Sequence, residues 1–139
     1  MGFHTDQSRQ NEIDAAVKLE KFWKAKIHSY GDYNAVDWWI EKGGRVWAVG
    51  EFKNRSIRSD KFPTLFISLR KWTMLQLASL TGAIPFFVVN FKDGLFVLNL
   101  QEAPVSNLFV HKRRKNRARN DTEPMLAVPV NMMQRIDNE

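Results

Sequence analysis

The stretch Asn34-Ala-Val-Asp-Trp-Trp-Ile-Glu-Lys-Gly-Gly-Arg-Val-Trp-Ala-Val-Gly-Glu-Phe-Lys53 decides how this chain folds. Two apolar, β-rich runs flank Lys42-Gly43-Gly44, a glycine-containing loop of the kind that closes a β-hairpin. Side chains alternate faces along a strand, so Glu51 and Lys53 point one way and Phe52 the other. With a three-residue loop, Glu41 pairs with Arg45 and Asp37 falls opposite Val49. Asp37 then shares a face with Glu51 as a diagonal neighbour, roughly 7–8 Å away at the backbone. A bulge or a four-residue loop would turn Asp37 to the other face. Two carboxylates at that separation can hold one divalent cation between them, and a lysine two residues on can meet a phosphate. Glu-x-Lys alone is more often a solvated sheet face than a site. Asp37, however, interrupts the apolar run around Val36 and Trp38-Trp39-Ile40, where a buried, unpaired carboxylate costs several kcal/mol. It needs a partner, and a metal is one candidate.

Composition bounds the rest. A chain of 139 residues with 44% apolar and 26% charged content reads as one globular domain, 1–139, with its own core. The absence of cysteine excludes disulfides, thiol catalysis and cysteine-ligated zinc. The N-terminus is polar, and Gln76, Ser79, Thr81 and Asn90 interrupt the most apolar region. A soluble, cytoplasmic protein is expected. His4, His28 and His111 are scattered, and no HExxH, GxSxG or GxxxxGK[ST] pattern occurs.

The net charge of +6 is concentrated in one place. The arm from 111 to 119 holds Lys112, Arg113, Arg114, Lys115, Arg117 and Arg119 with no acid, and the remaining lysines and arginines balance the 15 acids. A neutral body with one basic arm suits a polyanionic partner, bound in a salt-sensitive and sequence-blind way. A solubilising loop or a localisation signal is the plainer reading of such a run. Arg55 and Arg58 add basic charge in the polar loop that follows Lys53.

The periodicity predicts a helix from about Gln10 to Ile27, with Ile13, Ala16, Val17, Leu19, Phe22, Trp23 and Ile27 along one stripe. The hairpin follows, and Thr64–Ile67 reads as a third strand. Ser68 is a suitable N-cap for a helix running to about Leu80, stopped by Gly82. Ile84–Phe91 has the composition of a buried strand, with Leu95–Leu100 as its hairpin partner. Met125–Val130 reads as an edge strand that tolerates Pro129. Of the five tryptophans, Trp23, Trp38 and Trp72 are assigned to the core, and Trp39 or Trp47 is available to stack on bases. The result is an α/β fold, a mixed sheet with helices on its faces.

In this order the chain resembles the PD-(D/E)XK superfamily of nucleases, the restriction-endonuclease-like fold. Asp37 and Glu51-Phe52-Lys53 match the family's acid and (D/E)-x-K signature. The likeness covers roughly Glu12 to Leu100; Val36 stands where the family's nominal proline would be. It implies an αβββαβ core, with Asp37, Glu51 and the Phe52 carbonyl as metal ligands and Lys53 orienting the attacking water. Beside two carboxylates, Lys53 is expected to stay protonated. Small members, including Holliday-junction resolvases, carry a glutamate on the first helix; Glu12 matches that position, with Glu20 as its rival. Lys71 or Gln76 corresponds to an accessory basic or amide residue on the second helix.

The function implied is a magnesium- or manganese-dependent DNA endonuclease of branched or structured DNA, acting as a homodimer. Oxygen ligands favour those ions over zinc. Sequence-specific homing or restriction-type cleavage is the alternative within the class. A catalytically inactive nucleic-acid-binding protein of the same fold is the alternative outside it. The small, basic format suits a phage protein in its host's cytoplasm.

Overall fold

The structure, a computed structural model, describes residues 6–30, 36–103, 106–112 and 122–136, with 106–112 and Thr122 described by their backbone alone. The basic residues Arg113, Arg114, Lys115, Arg117 and Arg119 lie outside the described residues, and of Lys112 only the strand position is given.

Helix α1 spans Asp6–Trp23 and buries Ala15, Leu19 and Trp23, one residue per turn of its inward line. It begins earlier and ends sooner than the sequence pattern suggests. Lys24 adopts a left-handed conformation, φ 56°, that breaks the helix, and Lys26–Ser29 continues as strand β1. Ile27 is therefore a strand residue, and Ile13, Val17 and Phe22 are about half exposed rather than inward. Strands β2 (Trp38–Lys42) and β3 (Arg45–Asn54) form the expected hairpin. Strand β4 (Thr64–Ser68) runs straight into helix α2 (Leu69–Ser79), whose N-cap Ser68 accepts the Lys71 N–H at 3.2 Å. Leu75 is the helix's buried residue, whereas Leu80 is 82% exposed. Strands β5 (Ile84–Phe91), β6 (Gly94–Asn99), β7 (Ser106–Lys112), β8 (Thr122–Pro129) and β9 (Gln134–Ile136) complete the order.

These strands make two sheets, one of six strands in the order β1-β2-β3-β5-β6-β9 and one of three in the order β4-β8-β7. β3 and β5 are parallel, from Ala48↔Ile84 to Asn54↔Asn90, and the other pairs are antiparallel. Two expectations are corrected. Thr64–Ile67 is not the third strand of the main sheet; β1 takes that place, so α1-β1-β2-β3-α2-β5 supplies the αβββαβ order. The segment after the basic arm is not an edge strand but the middle of the small sheet. Its prolines are accommodated because Pro124 and Pro129 lie towards the strand's ends.

The core has two halves, one on each face of the large sheet. On one face α1 packs Leu19 and Trp23 against Trp38, Ile40, Phe86 and Val88. On the other, Val49, Phe87 and Val89 meet Leu75 of α2 and Leu65, Ile67, Leu126 and Val128 of the small sheet. Alternate residues of β5, and of β3 from Ala48 on, thus serve different layers, as strand alternation requires. Glu51 and Lys53 belong to the α2 face. Trp47 packs on Trp23 and Phe86 with ring centroids 5.6 and 5.7 Å away, which makes it part of the α1-side core rather than a base-stacking residue.

Candidate active site

The hairpin register sets the site. Gly43 and Gly44, at φ 62° and 75°, make a two-residue turn between Lys42 and Arg45, not the three-residue loop expected. That change alone would turn Asp37 away from Glu51. A bulge restores it: Glu41 pairs with Val46 but Ile40 with Ala48, leaving Trp47 as the extra residue. Trp38 then pairs with Gly50, which sets Asp37 level with Glu51 and on the same face.

Backbone bonds hold Asp37 there. Its N–H donates to the Gly50 carbonyl at 3.1 Å and its carbonyl accepts the Tyr30 N–H at 2.9 Å. Its Oδ2 accepts the Phe52 N–H at 2.8 Å. A strand residue's N–H and C=O project to the same side. The Phe52 carbonyl therefore lies along the edge of β3 that faces Asp37, while its ring stacks on Trp38 in the other layer, 5.4 Å between centroids.

Glu51 is only 1% exposed. Its Oε2 accepts from Lys71 Nζ at 2.9 Å and lies 3.6 Å from Lys53 Nζ. Its Oε1 is buried with no hydrogen-bond partner. Burial, followed by the Asp37 charge, raises the Glu51 pKa, and Lys53 and Lys71 oppose that rise. For Lys53, burial lowers the pKa; Glu51 opposes this, and the neighbouring charges of Lys71 and Arg55 push the same way as burial. Desolvation and the two neighbouring cations together outweigh the opposing pull of Glu51 and Asp37 on Lys53.

A cation answers this geometry. An orphaned buried carboxylate oxygen beside a second carboxylate is costly in isolation and suits a positive ion placed between them. Among the described residues no group of three His, Cys, Asp or Glu gathers that could hold a metal ion. Asp37 and Glu51 thus form a two-carboxylate set that the Phe52 carbonyl and water would complete. Magnesium and manganese accept such a set, because they retain several waters.

Residues 2–136 match the family model described as "Phage putative PDDEXK endonuclease". The chain belongs to that family. Its fold is the restriction-endonuclease-like one shared by a solved structure titled "1.6A resolution structure of Archaeoglobus fulgidus Hjc, a Holliday junction resolvase from an archaeal hyperthermophile". The two are 15% identical, with a TM-score of 0.61 over 94% of this chain and 93% of that one. No curated protein matches the chain significantly.

The other candidates of this PDDEXK nuclease fall in different places. Glu12 accepts the Trp38 indole N–H at 2.9 Å, which puts it against the residue next to Asp37 but on the α1 face. Glu20 lies about 12 Å further along α1, where its Oε2 accepts the Ile27 N–H at 2.7 Å and closes the α1–β1 connection. Lys71, in the first turn of α2, meets Glu51, while Gln76 is half-buried further along that helix. Arg55 lines a cleft of about 300 Å³ together with Lys53 and Lys71. Burial lowers its pKa, with Glu51 opposing. Arg58 is turned elsewhere, 63% exposed and within 3.4 Å of Asp60 and 3.9 Å of Asp93.

The same cleft adds two residues that the sequence reading did not single out, Arg70 and Glu123. Arg70 precedes Lys71 at the start of α2, and that adjacency was its only signal. Glu123 had none, since it reaches the site from β8 of the small sheet, one residue past the point where Thr122 pairs with Lys112.

Proposed function

We propose that this nuclease is a metal-dependent DNA endonuclease of branched or structured DNA, working as a homodimer in the cytoplasm. Magnesium or manganese is its cation. The observation that carries the reading is Glu51: a buried carboxylate with one oxygen fixed by Lys71 and Lys53 and the other unpartnered, level with Asp37. The large majority of buried side-chain polar atoms are hydrogen-bonded; Glu51 Oε1 is not.

Asp37, Glu51 and the Phe52 carbonyl would hold the cation. When bound, the cation supplies Lewis-acid stabilisation of the charge that grows on the phosphate oxygens and eases formation of the attacking nucleophile. Lys71 fixes Glu51 by its 2.9 Å bond to Oε2, so that Oε1 is the oxygen that would meet a bound ion. Lys53 Nζ, 3.6 Å from Glu51 Oε2, orients the attacking water, whose proton passes to solvent as the water oxygen bonds to phosphorus. The bond from phosphorus to the leaving oxygen breaks on the opposite side, and solvent protonates that oxygen. Arg55, Lys53 and Lys71 face the phosphate from the cleft. Lys112 pairs with Thr122, the residue before the cleft residue Glu123, and the basic residues of 113–119 follow it in sequence, a charge run that suits attraction of further phosphates. Shape-based recognition fits a chain this small, and cutting two strands suits a symmetric pair of protomers.

Incubation with magnesium and a panel of linear, flap and four-way DNA tests the reading. Cation-dependent nicking, strongest on the branched substrates and abolished in Asp37→Asn with DNA binding retained, is expected. DNA binding without nicking under magnesium or manganese would refute it in favour of an inactive binding protein.

A further inference from the structure

Lys53 and Arg55 both line the cleft beside the acids, together with Arg70 and Lys71 of α2. Asn54, the residue between them and the last of β3, turns to the opposite face of the sheet. There its Oδ1 accepts from Nδ2 of Asn11 on α1 at 3.3 Å and from Nδ2 of Asn90 on β5 at 2.9 Å. Gln7 Nε2 in turn donates to Asn11 Oδ1 at 2.9 Å. Asn54 and Asn90 are paired at the ends of the two parallel strands, and the Arg55 N–H donates to the Asn90 carbonyl at 2.9 Å. Four side-chain amides thus tie α1 to the carboxyl ends of β3 and β5, the place where parallel sheets bind their ligands. The chemistry at the acids does not involve them.

The polarity of this row is informative. An amide oxygen accepts at two lone pairs, and Asn54 Oδ1 uses both. What remains is its NH2 group, on an exposed residue, and among the described residues none accepts from it. The two accepted bonds fix the amide plane in the free protein, so little side-chain freedom is lost when the donor finds an acceptor. Lys53 and Arg55 offer positive charge to phosphates from the other face of the same strand end. A strand of DNA crossing that end therefore brings a phosphate oxygen past Asn54 as well. Asparagine donors to phosphate set the register of bound DNA without reading its sequence.

We infer that Asn54 is a DNA-binding residue, its NH2 donating to a backbone phosphate of the strand that crosses the end of β3. The inference rests on the nuclease reading above and deepens it. The substrate strand is held from both faces of the sheet, by cations on the α2 side and by a neutral, pre-aimed amide on the α1 side.

Asn54→Asp separates contact from scaffold, because the carboxylate keeps acceptors for Asn11 and Asn90 and removes both donors. Two quantities are read: the melting temperature of the free protein, and binding of a labelled four-way DNA junction without divalent cation. Gln134→Glu, exposed on β9 at the far edge of the large sheet, adds the same charge elsewhere. Asn54→Asp is expected to melt with the wild type and to bind DNA about tenfold or more weakly, with Gln134→Glu nearly unchanged. Asn54→Ala is expected to melt lower yet to bind no more weakly than Asn54→Asp, the reverse of the order that a purely structural amide would give. Three results would overturn the inference: wild-type affinity in Asn54→Asp, equal weakening by Gln134→Glu, or melting of Asn54→Asp as low as that of Asn54→Ala, which would mean that the amide is turned the other way. If the wild type nicks DNA with magnesium while Asn54→Asp binds as tightly as it does, only the Asn54 assignment fails. If the wild type binds no DNA, both readings fail.

Discussion

Asp37 has two tasks, and two substitutions separate them. Its Oδ2 accepts the Phe52 N–H at 2.8 Å in a half-buried position, and its charge raises the Glu51 pKa. Asp37→Ala removes both the charge and the acceptor. Asp37→Asn removes the charge and keeps an acceptor of the same reach. Both relieve the repulsion on Glu51 equally, so their difference isolates the hydrogen bond. An N–H left without its partner there costs about 1–3 kcal/mol, which in a chain of this size lowers Tm by roughly 4–12 °C. In the metal-free protein Asp37→Ala is therefore expected to melt several degrees below Asp37→Asn. Manganese at a hundredfold excess over Kd should stabilise the wild type by about 2.7 kcal/mol and neither variant. Nicking should vanish in both. Equal melting of the two variants would refute the bond's role in fixing Asp37, and full manganese stabilisation of Asp37→Asn would refute its role as a ligand.

Four further outcomes are expected. Burial and Asp37 raise the Glu51 pKa above its ordinary 4.5, so the folded state holds that proton more tightly than the unfolded state. Stability then falls as pH rises from about 4.5 through the folded value; metal-free Glu51→Gln should melt above wild type at neutral pH, with the gap closing towards pH 4.5 in a thermal-melt series. Lys71→Ala, which frees Glu51 Oε2, should cost roughly 10–100-fold in manganese affinity by calorimetry, with Lys71→Arg recovering part of it. Gly44→Val forces a β-branched residue to φ 75° and should cost roughly 1–2 kcal/mol in denaturant melts. Replacing the six lysines and arginines of 112–119 by glutamine should lower the slope of log affinity against log salt for duplex DNA by about 5.

The candidate site was legible where its residues lie on one hairpin. Asp37, Glu51 and Lys53 fall within a single local element, where alternation fixes faces without tertiary knowledge. The turn was misjudged by one residue, and the bulge at Trp47 cancelled the error; nothing in the local pattern announces such a bulge. Helix α2 was legible down to its N-cap, since Ser68 satisfies a donor within its own turn. The α1 boundary was not. Ile27 continues the apolar spacing of the helix, and only the left-handed Lys24 shows that the chain has already turned. Strands β4 and β8 were found as strands but put in the wrong sheet. Strand composition reports burial, whereas partner choice is a long-range property. Glu123 comes to the cleft that Arg70 of α2 lines from a strand of that second sheet.

The Trp47 bulge changes what conservation of this motif can mean. Between the acid at 37 and the acid at 51, the fold counts parity rather than length: one residue gained or lost reverses a strand's facing, and a second change of the same kind reverses it back. Relatives are free to space these two acids differently, provided that each odd insertion is matched by a bulge or a changed turn. A search for such nucleases by fixed spacing will therefore miss members that a search by strand facing would keep.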